Sequence, residues 1–166
     1  KTIQSWLGLL ENSYILFQLQ PWHNNLNKRI IKSPKLYFYD TGLLCTLLNI
    51  TSRERLKKHP AFGSIFENWC IAEIKKNKFN EGQNNGLFYF RDNAGNEIDL
   101  IIEKETGPLA VEIKLATKAD RSLLAGLKYW RKYQPTAQAI LLYQGKSLET
   151  DDANVQYVSW DEIDVL

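Results

Sequence analysis

The sequence predicts an α/β sandwich in which helices cover a mixed β-sheet. A chain of 166 residues, 44% hydrophobic and 24% charged, is large enough for one globular domain or one domain with a short additional module. A strongly helical run, "GSIFENWCIAEIKKNKFN", precedes three strand-like runs joined by short turn-forming stretches. A second helical run then separates the third strand from "AQAILLY", an order typical of a parallel crossover. Together these observations indicate a mixed sheet between helical layers.

The first fifty residues are predicted to form a module of their own. In "KTIQSWLGLLE" apolar residues recur at the i, i+3, i+4 and i+7 spacing of an amphipathic helix. "SYILFQL" and "KLYFYD" follow as strands joined by a long loop, which is the order of the second half of a winged-helix unit. We therefore predict a partial winged-helix module over 1–50 and a main domain over 51–166. The polar segment "TSRERLKKHPAFGS" lies at the boundary.

The loop between these two strands is locally basic, although the whole chain has a net charge of only +2. Lys28, Arg29, Lys32 and Lys35 lie in a stretch that also contains Trp22 and His23. Such a cluster can contact phosphates, so the loop is a candidate nucleic-acid-binding wing. A solvated loop with no ligand is the alternative.

The remaining elements follow in order. Asp40 or Thr41 is positioned to cap a helix through "TGLLCTLLNI". "GLFYF", "EIDLIIE" and "LAVEIKLA" predict an antiparallel meander, and "ADRSLLAGLKYWRKYQP" predicts a helix that ends before Pro135. "VQYVSW" is predicted to be the last strand.

Several classes of protein are disfavoured by composition. Cys45 and Cys70 lie in apolar contexts without metal-ligand spacing, which indicates buried thiols in a reducing compartment. No apolar run approaches the roughly 20 residues of a membrane span, and the amino terminus lacks a signal-peptide pattern. We expect a cytoplasmic protein without membrane association. Because the chain begins at Lys1 and has no Met, we also expect it to be the trailing part of a longer protein.

Charged residues interrupt two otherwise apolar strands. Strand alternation puts Glu97 and Asp99 on one face of "EIDLIIE", and Glu112 and Lys114 on one face of "LAVEIKLA". Charged residues that alternate along a strand are most often only solvated. That interpretation is the alternative to a functional site.

The register between these strands brings the charged faces together. If the turn uses 104–107, Glu103 pairs with Pro108 and Asp99 lies opposite Glu112. Opposed carboxylates repel at Cβ separations of about 5 Å, so a cation between them would be stabilising. Mg²⁺ prefers oxygen ligands and often uses one or two carboxylates. Lys114 would then orient or deprotonate a water, or stabilise charge on a phosphate.

The helix before these strands offers a third carboxylate. Glu67 lies within the broad apolar sector of the helix, while Glu73 is flanked by Phe66 and Trp69. The helical wheel alone does not choose between the two.

Four phrases carry a resemblance to known proteins: "KSPKLYFYDTGLL", "GSIFENWCIAEIKK", "YFRDNAGNEIDLIIE" and "LAVEIKLA". The pattern of "FENW", "EID" and "VEIK" resembles the PD-(D/E)XK nuclease superfamily. More closely, residues from about 32 to 116 resemble the carboxy-terminal region of prokaryotic AAA-type ATPases. This resemblance implies a restriction-endonuclease-like fold that follows a winged helix and an ATPase domain. The chain itself has no glycine-rich P-loop motif and hence no ATP site of that kind.

The resemblance also implies roles for particular residues. Asp99 and Glu112 would be metal ligands, Lys114 the catalytic amine, and Glu67, rather than Glu73, the helical acidic residue that completes the catalytic set and binds metal. The Ile113 carbonyl could add a ligand, and Arg91 and Glu97 also occupy family-like positions. No proline precedes Asp99, which departs from the motif.

Two functions are expected from these residues and the resemblance. The first is a nuclease-like domain that binds nucleic acid, DNA in the first instance, and hydrolyses phosphodiesters with Mg²⁺ or Mn²⁺. The alternative is a catalytically inactive module that binds nucleic acid or protein for the ATPase. The expected partners are nucleic acid and the preceding ATPase domain of the same parent chain. The oligomeric state is left open.

Overall fold

The protein has a mixed α/β architecture. A computed structural model describes residues 2–22, 33–83, 85–150 and 154–166. The described elements are α1 (Thr2–Asn12), β1 (Leu16–Pro21), β2 (Lys35–Phe38), α2 (Thr41–Leu47), α3 (Arg53–Lys58), α4 (Phe62–Asn80), β3 (Leu87–Arg91), β4 (Glu97–Lys104), β5 (Gly107–Lys114), a 3₁₀ helix (Arg121–Leu124), α5 (Ala125–Trp130), β6 (Ala139–Tyr143), β7 (Val155–Ser159) and a final 3₁₀ helix (Trp160–Val165). None of the described helices is long and apolar enough to cross a bilayer.

The described strands form one seven-stranded mixed sheet in the order β2-β1-β3-β4-β5-β6-β7. β3, β4 and β5 pair antiparallel, which confirms the predicted meander. β6 pairs parallel to β5 after the connection through α5, so the predicted crossover is confirmed as well. β7 continues in parallel beyond β6.

Helices pack on both faces of this sheet. On one face α4 buries an apolar sector that includes Phe66, Cys70 and Ile71 against the strands. On the other face α5 buries Leu127 and Trp130. The Cys70 thiol is therefore buried as predicted, whereas Cys45 is only half-buried.

The amino-terminal segment contributes to the same sheet. β1 pairs antiparallel with β2 and parallel with β3. The two strands of the amino-terminal segment, β1 and β2, therefore extend the sheet at one edge. The predicted helix α1 is present, but most of its apolar side chains are exposed: Ile3 is 74% and Trp6 is 65% accessible. No residue of α1 is buried within the part of the chain that the structure describes.

Local capping explains the next two helices. The Asp40 carboxylate accepts the Leu43 N–H at 2.7 Å, so Asp40 is the cap of α2, one of the two predicted alternatives. The segment predicted as a polar connection also contains α3, which begins at a Ser52 cap. Polar residues with a serine cap suffice for this short helix because it lies at the surface.

One side chain fixes β2 against α4. The buried Asn68 amide accepts the Phe38 N–H at 2.7 Å and donates to the Phe38 carbonyl at 3.0 Å. This two-point clamp satisfies backbone groups of β2, which is the edge strand of the sheet formed by the described residues. It also sets Lys35 and Tyr37 of β2 beside Glu67 of α4. The basic residues Lys28, Arg29 and Lys32 lie outside the described residues.

Candidate functional site

The β4–β5 hairpin has the register predicted from its turn. Glu103 pairs with Pro108, and the pairing continues to Leu100 opposite Val111. Gly107 opens β5 with a φ of +114°, a conformation that favours glycine and allows the tight reversal. Asp99 and Glu112 are the next residues beyond the last paired positions. The hairpin therefore brings both to its open end, away from the turn.

A bulge lies beside Asp99 in the β3–β4 pairing. Phe88 pairs with Ile101 and Phe90 with Ile98, so Tyr89 alone faces the two residues Asp99 and Leu100. The strict alternation predicted for β4 is therefore wrong here. Ile98 and Ile101 pack on the α5 side, whereas Leu100 packs on the α4 side. No sequence signal marks this bulge.

Asp99, Glu112 and Lys114 meet at this point. The Lys114 ammonium lies 2.5 Å from Glu112 Oε1 and 3.7 Å from Asp99 Oδ2. The same Asp99 oxygen accepts the backbone N–H of Ile113 at 2.8 Å. Asp99 is only 8% accessible and Glu112 only 6%, so neither carboxylate is simply solvated.

The environment raises the pKa of both carboxylates. Burial is the main cause: the pKa of Asp99 rises to about 6 and that of Glu112 to about 7. The charge of Glu67 adds to the shift at Asp99, and the charge of Asp99 adds to the shift at Glu112. Burial opposes the charged form of Lys114, but Asp99 and Glu112 outweigh it and raise the pKa of Lys114. With no further cation bound, Lys114 is an ammonium rather than a base at neutral pH.

A second ion-pair cluster adjoins the first. The Lys35 ammonium lies 3.2 Å from Glu67 Oε1 and also pairs with Glu97. Tyr37 donates its hydroxyl to Glu67 Oε1 at 2.6 Å, and Arg91 Nε lies 3.4 Å from Glu97 Oε2. The sequence places Lys35 among the predicted wing residues and does not predict this contact. The alternation of Lys35 and Tyr37 along one face of a strand was the available signal.

The structure distinguishes Glu67 from Glu73, the two helical carboxylates between which the helical wheel does not choose. Glu67 lies close enough to Asp99 to raise the pKa of that carboxyl. Glu73 pairs instead with Lys76 at 2.5 Å, one turn along the same helix, where both side chains are partly exposed.

The donor set fits a hard cation at Asp99 and Glu112. Glu112 Oε2 is buried and has no hydrogen-bond partner in the described structure. An unpaired buried carboxylate oxygen needs an explanation, and oxygen coordination by Mg²⁺ or Mn²⁺ supplies one. No group of three or more potential ligand side chains converges as a metal site within the described ranges. The fit is therefore to a two-carboxylate site whose remaining ligands are waters and substrate.

Gly126 of α5 lies against this site, and we predict that Gly126→Ala is destabilising. A Cβ there would lie 2.7 Å from the Glu97 carbonyl oxygen and 2.8 Å from Glu112 Oε2. Because the carbonyl belongs to a buried strand, we expect a loss of about 1–3 kcal/mol in the free energy of unfolding, measured by urea titration. The control is Gly63→Ala in α4, where a Cβ meets nothing within 4 Å. That variant should be as stable as wild type or more stable. Equal stability of the two variants would contradict the close approach.

Comparison with known proteins places the chain in a family. Residues 62–163 match the model described as a domain of unknown function, DUF4143. The chain belongs to the DUF4143 family. Members of this family typically form the carboxy-terminal domain of proteins that contain an AAA-type ATPase. Residues 1–54 match a second model, also described as a domain of unknown function, DUF8612.

Two curated relatives are similar to the DUF4143 chain. They are uncharacterized proteins of Mycobacterium bovis and Mycobacterium tuberculosis, each 34% identical over 113 residues. The match covers 68% of this chain and 25% of each relative. The chain thus spans about a quarter of the length of the curated relatives it matches.

The site draws on both matched segments. Glu67, Glu97, Asp99, Glu112 and Lys114 lie in the DUF4143 segment. Lys35 and Tyr37 come from the DUF8612 segment.

Proposed function

We propose that this DUF4143 chain is a nuclease-like domain that binds DNA and hydrolyses phosphodiesters with Mg²⁺ or Mn²⁺. The observation that carries the proposal is the junction of Asp99, Glu112 and Lys114 at one end of a hairpin, with one Glu112 oxygen buried and without a partner among the described residues. The proposal includes a restriction-endonuclease-like arrangement of the α/β fold and a winged-helix origin for the amino-terminal segment. It also includes an ATPase domain in the parent protein as the partner.

The roles of the residues follow from their contacts. Asp99 and Glu112 would hold the divalent cation, with Glu67 as the third acidic residue implied by the resemblance. The cation supplies Lewis-acid activation of a water or phosphoryl oxygen when bound. The Ile113 N–H orients the Asp99 carboxylate through its 2.8 Å hydrogen bond. The Lys114 ammonium is suited to bind a phosphate oxygen and stabilise the charge that develops on it.

A partly exposed lysine and a groove lie next to the buried carboxylates. Lys114 is about one-third exposed at its side chain. A groove of about 380 Å³ between β2, α2 and α4 is bordered by Lys35 and Glu67. Residues that flank the predicted basic wing are anchored nearby: the Tyr89 carbonyl accepts the Trp22 N–H at 2.7 Å, and the Tyr89 hydroxyl donates to the Ser33 carbonyl at 2.5 Å. Because Tyr89 faces the Asp99 bulge, both flanks lie near the site.

A cleavage assay tests the proposal. The purified chain should nick supercoiled plasmid or cut linear DNA with Mg²⁺ or Mn²⁺, and chelation should stop the reaction. Asp99→Ala should reduce the rate by a factor on the order of 100 or more. Glu73→Gln, at a partly exposed position of α4 that pairs with Lys76, is the matched control and should cut at the wild-type rate. Failure to cut DNA or RNA, together with failure of Mn²⁺ to bind, would sink the proposal.

A catalytically inactive interaction module is the second candidate. The observation that favours it is that Lys114 and Lys35 already neutralise much of the carboxylate charge without any metal. In that case salt-dependent DNA binding should survive Asp99→Ala and fall when Lys28, Arg29 and Lys32 are replaced together. Loss of DNA binding with Asp99→Ala, or binding insensitive to salt, would argue against this candidate.

A further inference from the structure

Each of the two lysines in the site is shared by two carboxylates. Lys114 lies between Asp99 and Glu112, and Lys35 lies between Glu67 and Glu97. The four carboxylates thus form two pairs, and each pair already has one ammonium. The two pairs differ in whether a buried carboxylate oxygen is left without a partner among the described residues.

Both carboxylates of the Glu67–Glu97 pair already have cationic or hydroxyl partners. Glu67 Oε1 receives both Lys35 and the Tyr37 hydroxyl, while Glu97 pairs with Lys35 on one oxygen and with Arg91 on the other. By contrast, Glu112 Oε2 is buried with no partner among the described residues. The buried carboxylate oxygen that lacks a partner among the described residues therefore belongs to Glu112 and not to Glu67.

Lys35 is held in this position from three sides. Its strand is clamped to α4 through Asn68, and its ammonium lies 5.4 Å from the centre of the Tyr89 ring. Its two carboxylate partners come from α4 and β4. An exposed lysine that meets a carboxylate by chance does not have this set of supports.

We propose that Lys35 is the resident second cation of the site, so that the site takes one divalent ion, at Asp99 and Glu112, and Glu67 positions Lys35 rather than binding metal. This inference rests on the proposed function for the first ion and goes beyond it in assigning the stoichiometry and the role of Glu67. It also gives the DUF8612 segment a place in the site, because that segment supplies Lys35.

Counting bound Mn²⁺ by electron paramagnetic resonance, without any nucleic acid, tests the inference. Wild type and Lys35→Arg should bind one ion, since both carry the second positive charge. Lys35→Met should bind two ions, and Lys35→Met combined with Glu97→Gln should return to one. Lys76→Met, which removes the lysine of the Glu73–Lys76 ion pair on α4, is the control and should bind one ion. Circular dichroism melting checks that each variant is folded.

Glu67 supplies an independent readout. Glu67→Gln should still bind one Mn²⁺, because a positioning residue is not a ligand, with its affinity reduced by no more than the roughly 10–100-fold typical of an outer-shell partner. Two ions in wild type, one ion of unchanged affinity in Lys35→Met, or loss of the ion in Glu67→Gln would each overturn the inference. If wild type binds no ion while Lys35→Met binds one through Glu97, the role of Lys35 stands and the proposed nuclease site fails. If no variant binds Mn²⁺, both fail.

Discussion

Replacing Lys114 with Met is expected to abolish cleavage while tightening the binding of Mn²⁺. The ammonium lies 2.5 Å from Glu112 Oε1 and 3.7 Å from Asp99 Oδ2, so it competes for the oxygens that would bind the ion. Removing it relieves that competition. It also removes the positive charge that would stabilise a phosphate in the transition state, which is commonly worth a factor of about 100 to 1,000 in rate. Single-turnover DNA cleavage and Mn²⁺ titration measure the two effects separately.

The opposite signs of these effects distinguish a catalytic lysine from a structural one. If Lys114 only stabilised the hairpin, its removal would lower the affinity for Mn²⁺ and the rate of DNA cleavage together. Lys114→Arg is the conservative control, because it keeps the charge but changes the geometry of its donors. It should retain part of the cleavage activity and bind Mn²⁺ no more tightly than wild type. Cleavage by Lys114→Met at more than about a tenth of the wild-type rate would refute the assigned role.

The features that local sequence determines were predictable. A short turn between two alternating strands fixes the hairpin register, so the approach of Asp99 to Glu112 could be predicted from their spacing from the turn. The same holds for the Asp40 cap and the crossover through α5, because each depends on neighbouring residues. Helical periodicity likewise predicted the apolar sector of α4.

The features that depend on distant contacts could not be predicted. Lys35 meets Glu67 across 32 residues of sequence, and only the pairing of β2 at the sheet edge and its clamp by Asn68 bring them together. The bulge opposite Tyr89 arises in the pairing of β4 with β3, and no residue type in β4 marks it. For α1, periodicity predicted the helix but carries no information about whether its apolar face is covered.

The second large effect expected is a loss of stability as pH rises through the pKa values of the buried pair. Asp99 has a pKa of about 6 in the folded protein against 3.8 as its ordinary value, and Glu112 about 7 against 4.5. The folded state therefore holds these two protons more tightly than the unfolded state does. Their stabilising contribution is complete below about pH 4 and disappears as pH rises through 6 to 7. At about 1.4 kcal/mol per pKa unit, each of the two shifts corresponds to roughly 3 kcal/mol.

Comparing wild type with Asp99→Asn/Glu112→Gln isolates this contribution, because the neighbouring charges of Lys35, Glu67 and Glu97 remain in both proteins. Between pH 5 and pH 8 the free energy of unfolding of wild type should fall by about 3 kcal/mol relative to the double variant, measured by urea titration. A divalent ion binds only the deprotonated pair, so Mg²⁺ at about 10 mM should restore the stability of wild type at pH 8 and have little effect at pH 5. The double variant should not respond to Mg²⁺ at either pH.

Parallel pH profiles of the two proteins would show that the buried pair is not coupled to folding. A pH-dependent loss that Mg²⁺ does not reverse would show that the pair is buried without being a cation site. The pH profile therefore measures the free-energy cost of burying the two carboxylates in their charged form. The response to Mg²⁺ shows whether a divalent ion binds them and offsets that cost.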